Sequence, residues 1–364
     1  MAQVLCRRSS YEETVLRDVV RDCLDFLGGR DIASGSRVLV KPNLLGPAAP
    51  DRAMLTHPLV VRAVAEYALD RGAKVLVADS QALGSFERIL KESGVREALA
   101  GLNVECRELR NSVQVDVGEP FGKIDLAEDA VRAEVIINVP KLKTHSQMLL
   151  TLAVKNLFGC VVGLRKPQWH LRAGVDRERF AALLVRICAT LKPPFNLLDG
   201  VLAMEGPGPG KGGIPRHVGV VMASRDAFAL DAAVCRMLGI EPKELFTHAV
   251  AMKAGLVDGT PEIDGDLPRV QGFRFPEMAS TMFGPKALHG LMRRHLIQRP
   301  VINDDACKAC RDCAKYCPAE AITFEGREAV FDYDRCIRCY CCLEVCPHGA
   351  MRAEEPETTI TCSR

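Results

Sequence analysis

The feature that most constrains this 364-residue chain is a cysteine pattern that occurs twice near its C-terminus. In each copy two, two and three residues separate successive cysteines, and a proline follows the fourth cysteine directly. The copies are Cys307, Cys310, Cys313 and Cys317 with Pro318, and Cys336, Cys339, Cys342 and Cys346 with Pro347. Two runs of identical spacing are not expected by chance, so these eight thiolates are predicted to be metal ligands.

This spacing suits two cubane iron–sulfur clusters. Three thiolates at i, i+3 and i+6 wrap around one cluster, and the fourth, before the proline, reaches the other cluster. The predicted ligand sets are therefore Cys307, Cys310, Cys313 and Cys346 for one [4Fe–4S] cluster, and Cys336, Cys339, Cys342 and Cys317 for the second. Zinc is the alternative metal, but closed zinc sites need no Cys-Pro ligand exchanged between two runs.

The segment between the two runs, residues 321–331, is predicted to be a hairpin with a Glu-Gly turn. Cys341 lies directly beside a predicted ligand, so its side chain is expected to point elsewhere and to bind no metal. Residues 300–353 as a whole resemble the bacterial dicluster ferredoxin domain. The cysteine pattern does not indicate a role for the remaining 300 residues.

Composition limits the classes of partner. With 48 Lys+Arg against 46 Asp+Glu, no charge excess favours nucleic acid or an anionic membrane. No run of 18 apolar residues occurs, so no transmembrane segment is predicted. The non-ligand cysteines show no disulfide-like framework and are expected to be reduced, which favours the cytoplasm. They are Cys6, Cys23, Cys106, Cys160, Cys188, Cys235, Cys341 and Cys362.

Before residue 260, apolar runs that suit strands alternate with segments of helical periodicity. The predicted strands cover residues 36–41, 74–78, 133–139, 196–204 and 217–223. The predicted helices cover residues 58–70, 86–100, 177–191 and 226–238. This alternation predicts an α/β fold with a mostly parallel sheet and flanking helices, followed by the small α+β ferredoxin-like domain.

The predicted organisation has four parts. An α/β domain covers residues 1–260, and a linker with a docking helix at 287–298 covers 261–299. The ferredoxin-type domain covers 300–353, and a polar tail covers 354–364.

Polar residues follow several predicted strands where each one ends, namely Asn43, Asp79, Lys141, Asp199 and either Ser224 or Asp226. In open parallel sheets, ligands bind beyond the carboxyl ends of the strands. These side chains are therefore predicted to converge on one substrate-binding crevice. The alternative is that each caps a strand or forms a turn without binding anything.

The densest polar group follows the third predicted strand. Lys141 and Lys143 carry positive charge, and His145, with an ordinary pKa near 6.5, is suited to move a proton. Lys155 and Asn156 lie in an apolar stretch expected to be helical, and helix N-termini favour anions. We expect a small anionic substrate here, such as a carboxylate or phosphate, with the first three residues as proton donors. A solvated basic loop is the alternative.

The Gly/Pro segment 205–215 begins at Glu205 and contains a formal G-x-G-x-x-G pattern. A strand follows it rather than a helix, so it does not predict a dinucleotide site. No Walker A motif is present either. The segment is expected to be a loop that closes over a ligand or a plain surface loop.

Several of these motifs together resemble the domain-of-unknown-function family 362, over about residues 36–255. They are Val-Lys-Pro-Asn at 40–43, Val-Ala-Asp-Ser at 77–80, Pro-Lys-Leu-Lys-Thr-His at 140–145, Val-Lys-Asn-Leu-Phe-Gly at 154–159, Asp-Gly at 199–200 and Met-Glu-Gly-Pro-Gly-Pro at 204–209. The resemblance implies a single α/β unit that is often fused to a dicluster ferredoxin module. It also implies recurrent motif positions at Lys141, Lys143, His145, Lys155, Asn156 and Glu205.

These features favour an iron–sulfur oxidoreductase that exchanges electrons with a low-potential donor or acceptor protein. Its substrate would bind through Lys41, Asn43, Asp79, Lys155, Asn156, Asp199 and Glu205. A flavin as second cofactor is an open alternative that no motif indicates. The competing hypotheses are a non-catalytic adaptor of a larger redox complex and a redox sensor.

Overall fold

The computed structural model describes residues 1–81, 84–163, 165–173, 176–257, 259–278 and 297–355. Up to residue 264 its strands are β1 Gln3–Arg8, β2 Arg37–Pro42, β3 Lys74–Asp79, β4 Glu105–Glu108, β5 Ser112–Asp116, β6 Lys123–Ala127, β7 Val135–Val139, β8 Lys141–His145, β9 Leu149–Thr151, β10 Phe195–Glu205, β11 Ile214–Ser224 and β12 Glu262–Asp264. Its helices there are α1 Glu13–Phe26, α2 Pro58–Leu69, α3 Phe86–Glu92, α4 Val95–Ala98, α5 Glu128–Arg132, α6 Ala153–Asn156, α7 Arg165–Ala173, α8 Arg177–Leu191, α9 Ala227–Leu238 and α10 Phe246–Lys253.

Ten strands form one sheet with the order β12-β1-β11-β10-β7-β2-β3-β4, and β8 and β9 extend it beside β10. The pairs β2–β3, β3–β4, β2–β7 and β7–β10 are parallel. Strand β11 runs antiparallel to both β10 and β1. The prediction of a mostly parallel α/β sheet with flanking helices is therefore confirmed.

Helices cover both faces of the sheet, which explains the nearly continuous apolar strands. On one face, Leu16 and Val20 of α1 and Val64 of α2 share a buried cluster with β2 and β3. On the other face, Leu184 of α8 and Val234 of α9 pack in a second cluster. The edge of the sheet where β2, β3 and β7 end stays open to receive polar side chains.

Local sequence explains where some elements differ from prediction. The helix expected over residues 86–100 is interrupted at Gly94, whose φ of +73° suits glycine and ends one helix before the next begins. Helix α8 has the predicted bounds, and Asp226 caps α9 by accepting from the amides of Phe228 and Ala229. Strand β1 and helix α1 were not predicted, although α1 has a buried apolar stripe.

The C-terminal unit contains two small antiparallel sheets. The predicted hairpin is present as β14 Ile322–Glu325 and β15 Glu328–Phe331, with Gly326 at φ +62° in the turn. Strand β13, Arg299–Ile302, pairs with β16, Met351–Glu354, and so brings the two ends of the unit together. Two short helices carry cysteines, Asp312–Lys315 and Cys341–Val345.

The predicted linker is only partly separate from the α/β domain. Strand β12 joins the large sheet through β1, and Arg274 bonds to Glu205. The docking helix expected at 287–298 lies almost entirely outside the described residues, as does Cys362. Among the described helices, none has the length and apolarity that a bilayer crossing requires.

Candidate interdomain site

Pro140 divides what would be one long strand and thereby positions the basic motif. β7 ends at Val139, and after Pro140 the chain continues as β8 beside the second half of β10. Residues two apart in a strand share a face, so Lys143 and His145 point the same way. Both are buried, which corrects the alternative of a solvated basic loop.

The polar edge of the sheet faces a cavity of about 220 Å³. Its walls come from both units of the chain: the α/β domain supplies most of them, and the ferredoxin-like unit supplies Tyr316, Cys341, Glu344 and Val345. The predicted site residues on its lining are Asn43, Asp79, Lys143, His145, Lys155 and Asn156. Most of the predicted crevice is therefore brought together at the contact between the two units.

Lys143 is held tightly in this wall. Its Nζ donates to Asn43 Oδ1 at 2.8 Å and to the Met54 carbonyl at 2.7 Å. Both acceptors are neutral. Burial, with the nearby charge of Lys155, lowers the pKa of Lys143 to about 7. Such a group can hold or release a proton near neutral pH.

His145 bridges the two units. Its Nδ1 accepts from the amides of Gln147 and Met148, so the neutral ring carries its proton on Nε2. That Nε2 lies 3.0 Å from Oε1 of Glu344. Burial lowers the pKa of His145 to about 4, and the nearby charge of Lys155 acts in the same direction. The imidazole is therefore neutral at physiological pH.

Glu344 is the acidic residue that the ferredoxin-like unit contributes. Burial acts to raise its pKa, but His145, Lys155 and His170 together hold it below its usual range. The site thus contains one ionised carboxylate from the cysteine-rich unit among basic residues of the α/β domain.

Lys155 faces the cavity and its Nζ lies 5.7 Å from the ring centroids of Phe158 and Phe180. Burial lowers the pKa of Lys155, while Glu344 partly offsets this effect. The N-terminus of α6 is not open to an anion as expected, because the buried Asp231 accepts from the amides of Ala153 and Val154. The charge near the cavity comes from side chains instead.

Sequence reasoning missed four lining residues: Thr151, Lys166, His170 and Glu344. Lys166 donates to the Ser80 carbonyl, and burial lowers its pKa to about 8. The spacing of Lys166 and His170 by four residues on one helix was the available signal, since such residues share a face. Glu344 had no such signal, because its role depends on how the two units pack.

Lys41 and Asp79 form a buried ion pair at the wall of the cavity. Lys41 Nζ lies 2.8 Å from Asp79 Oδ1, and Asp79 also accepts from the Leu44 and Ser80 amides. Gly159 covers this pair so closely that a Cβ atom there would overlap both charged groups. Asp79 lines the cavity, but its charge is already compensated.

Replacing Gly159 with alanine is therefore expected to destabilise the protein. The added methyl group would push apart Lys41 and Asp79, and overpacking of this kind costs about 1–3 kcal/mol or more. Urea unfolding of the anaerobic protein would measure the loss. Gly210→Ala is a less crowded comparison, because its added Cβ would lie 3.1 Å from the nearest atom, the Glu344 carbonyl oxygen, and we expect a smaller loss there. Equal losses in both variants would contradict the explanation.

Lys141 and Asp199, expected in the crevice, form a closed pair beside it. Lys141 Nζ donates to Asp199 Oδ2 at 2.8 Å and to the Tyr11 hydroxyl at 2.9 Å, and all its surface is buried. Tyr11 and the His57 amide donate to the remaining Asp199 positions. Neither Lys141 nor Asp199 lines the cavity, so the geometry places them in a structural role rather than in catalysis or substrate binding.

The remaining predicted residues also make internal bonds. Asn43, Asn156, Asn138 and Asn196 form a chain of side-chain hydrogen bonds of 2.8–2.9 Å across the sheet. Glu205 does not reach the cavity, because its Oε1 accepts from Arg274 at 2.7 Å. The Gly/Pro loop after it is packed in place, with the Gly208 carbonyl accepting from Ser146.

The buried histidines predict that stability falls with acidification. Burial lowers the pKa of His57 and of His170 to about 4, from an unfolded value of 6.5. Between these values the unfolded chain binds more protons, so stability rises with pH there and is lost as pH falls from 6.5 toward 4. Urea midpoints at about pH 7.5 and about pH 5.5, with cluster absorbance monitored, would show the loss. His170→Phe should flatten this dependence; an unchanged slope would contradict the assignment.

Members of each predicted ligand set lie near one another in the cysteine-rich unit. Cys307, Cys310, Cys313 and Cys346 line one small cavity beside Ile302 and Met351. Cys317 lies near Cys336, Cys339 and Cys342 in electrostatic contact. Among the described residues, no group of three or more His, Cys, Asp or Glu side chains is arranged to hold a single metal ion, and the two ligand sets stay predictions.

Comparison with known proteins agrees with both parts of the chain. The model of the domain of unknown function DUF362 matches residues 38–236, and that of a 4Fe-4S dicluster domain matches residues 299–347. The thylakoid-associated protein sll1697 of Synechocystis sp. is 37% identical over 303 residues, which are 81% of this chain and 94% of that protein. The chain belongs to the DUF362 family. The resemblance noted from the motifs is thus confirmed.

A structural comparison gives a distant likeness. The lactate racemase apoprotein from Thermoanaerobacterium thermosaccharolyticum matches with a TM-score of 0.38 and 13% identity, over 62% of this chain and 55% of that one. A likeness of this size carries no information on activity. Within this DUF362 protein, the motif residues divide into cavity-lining and structural sets. Lys143, His145, Lys155 and Asn156 belong to the first, and Lys141 and Glu205 to the second.

Proposed function

We propose that this protein is an iron–sulfur oxidoreductase that passes electrons between two [4Fe–4S] clusters and a small anion held in the interdomain cavity. The observation that carries the proposal is the shared wall of the cavity. Tyr316 and Cys341 line it, and they are the sequence neighbours of Cys317 and Cys342. Both of these cysteines belong to the same predicted ligand set, so one cluster would lie directly behind the wall.

The proposed roles of the chain follow from its side chains. When bound, the clusters would supply one-electron transfer at a potential set by hydrogen bonding and exposure. Lys155 and Lys166 would attract the anion, and Lys143, with a pKa of about 7, would exchange a proton with it. Neutral His145 would present its Nε2 proton between Glu344 and the cavity. Leu45 and Phe158 would help to exclude water.

The other predicted cluster would lie toward solvent. Cys310 is exposed, whereas Cys339 and Cys342 are buried. An electron donor or acceptor protein of low potential would therefore approach the Cys310 end, and electrons would pass through both clusters in turn.

A non-catalytic adaptor is the second candidate. The relative sll1697 of Synechocystis sp. is named as a thylakoid-associated protein. A protein with the same organisation could pass electrons to a larger membrane-bound redox complex without a substrate of its own. In that case the cavity would have no part in electron transfer.

Anaerobic redox measurements would test the proposal. Holoprotein reduced with dithionite and freed of excess reductant would be mixed with groups of small anions while the visible absorbance of the clusters is recorded. We expect one class of anion to reoxidise the clusters. No reoxidation by any anion, together with a protein partner cross-linked in a one-to-one ratio, would favour the adaptor and overturn the proposal.

A further inference from the structure

Several buried polar atoms on the cavity lining have no hydrogen-bond partner among the described residues, and Thr151 Oγ1 and His170 Nδ1 are two of them. Thr151 is 4% exposed and His170 5% exposed, so bulk water reaches neither side chain freely. A buried polar group without a partner costs free energy, and nearly all such groups in folded proteins are satisfied. These two side chains therefore point to a ligand. The ammonium of Lys155 lines the same cavity and supplies a positive charge there.

The three groups belong to one region of the cavity. His170 packs against Phe180 and Phe158, with centroid distances of 4.5 and 5.8 Å. Lys155 Nζ lies over the same two rings, so the ammonium and the imidazole share an aromatic surface. Thr151 is the last residue of β9 and precedes α6, which contains Lys155. A single small molecule could contact all three.

The charges around this region favour a bound anion. Of the three acidic residues on the lining, Asp79 is paired with Lys41 and Glu108 with Arg110. Glu344 alone is left to face the ammonium groups of Lys143, Lys155 and Lys166. The excess of positive charge is modest, which suits a singly charged group better than a phosphate dianion.

Apolar residues complete the same cavity. They are Leu45, Phe158, Pro167, Pro209 and Val345. An inorganic anion would leave this surface without contacts, whereas a carbon skeleton would cover it. The volume of about 220 Å³ is below the roughly 300–1,000 Å³ of sites for drug-sized ligands, so the skeleton is short.

We propose that Lys155, Thr151 and His170 form the carboxylate subsite for a short-chain organic acid. Lys155 supplies the counter-charge, the Thr151 hydroxyl donates a hydrogen bond, and His170 donates from Nδ1 to the carboxylate or a neighbouring oxygen of the ligand. The inference deepens the proposed function by naming the class of its substrate.

Equilibrium binding to the anaerobic holoprotein would test the subsite. Isothermal titration with propionate, glycolate and succinate would be compared with propionamide, a neutral analogue, and with inorganic phosphate. We expect at least one carboxylate to bind and propionamide and phosphate to bind more weakly by over about tenfold. Propionamide or phosphate binding as tightly as every carboxylate would overturn the inference.

Variants would assign the binding to these residues. Lys155→Met is expected to weaken carboxylate binding by more than about tenfold and Thr151→Val by about fivefold, while Lys155→Arg keeps part of it. Lys91→Met, on exposed helix α3, is the matched control and should bind as the wild type does. Unchanged binding by both Lys155→Met and Thr151→Val would overturn the assignment.

Stability supplies a second readout. Because the Lys155 ammonium has no counter-charge in contact, its replacement by methionine should leave the melting temperature unchanged or raise it. Two results together would show a structural effect and contradict the subsite. They are a lower melting temperature for Lys155→Met and an equal loss of carboxylate binding in the Lys91→Met control. If Lys155→Met does not fold, Thr151→Val and Lys155→Arg decide the question alone.

The two proposals can fail separately. Carboxylate binding through Lys155, with no reoxidation of the clusters by any of the small anions, would support the subsite and overturn the redox proposal. Cluster reoxidation by an anion other than a carboxylate, with no carboxylate binding, would support the redox proposal and overturn the subsite.

Discussion

Replacing Cys317 with serine is expected to remove the same cluster that Cys342→Ser removes, although the two residues lie in different cysteine runs. In each variant the iron content should fall from about eight to about four atoms per chain, because one cubane loses a ligand and the other keeps all of its own. Chemical iron and sulfide analysis would give the count. Electron paramagnetic resonance of the reduced variants should give the same residual spectrum for both.

Two further variants serve as controls. Cys346→Ser should remove the other cluster and leave a different residual spectrum, while Cys341→Ser should keep about eight irons because this thiol faces the cavity. If the residual cluster of Cys317→Ser matched that of Cys313→Ser instead, each run would hold its own cluster and the proposed ligand exchange would be wrong.

Replacing Asp199 with asparagine is expected to cost about 3–5 kcal/mol of stability, since it leaves the Lys141 ammonium buried without a counter-charge. The two groups are 2.8 Å apart and both side chains are fully buried. Urea unfolding would record the loss. Adding Lys141→Met to this variant should restore part of the stability, because the uncompensated charge is then removed.

The exposed pair of Arg88 and Glu92 is a suitable control. Glu92→Gln should change stability by less than about 0.5 kcal/mol, as is usual for surface ion pairs. The structural role of Lys141 would be contradicted if Asp199→Asn unfolded at the wild-type urea concentration and yet lost all ligand-dependent cluster oxidation. That result would return Lys141 to the catalytic residues.

The cysteine spacing identified the dicluster domain because ligand geometry is local to each run, while the exchange of ligands between the two runs stays a prediction. Strand alternation similarly predicted the α/β sheet, since burial of both faces requires long apolar strands. The bounds of α8 followed from helical periodicity, and in the structure Asp176 caps its N-terminus. These features depend on neighbours in the sequence.

The site could be predicted only in part, because its polarity depends on long-range packing. The expectation that polar residues at strand ends converge correctly placed Asn43 and Asp79 on one cavity. It could not predict that Lys141 lies outside the cavity, because Lys141 is enclosed by residues such as Tyr11, more than a hundred residues away in the sequence. Glu344 could not be predicted for the same reason, because its contact with His145 depends on how the two units dock.

Electrons are proposed to pass between the clusters and a ligand in the interdomain cavity. Filling the cavity and measuring reoxidation of the clusters tests this transfer most directly. Leu45→Trp would occupy the space from the α/β domain, which holds none of the predicted cluster ligands, and Val131→Trp on the exposed surface of α5 is the control. Both proteins would be reduced anaerobically and mixed with the anion that reoxidises the wild-type clusters fastest.

We predict that Leu45→Trp keeps its iron content and accepts electrons from dithionite, yet is reoxidised by this anion at least about tenfold more slowly than Val131→Trp, because the added ring excludes the ligand. Equal rates of reoxidation in the two variants would contradict the account, since electrons would then leave the clusters by a route that does not involve the cavity.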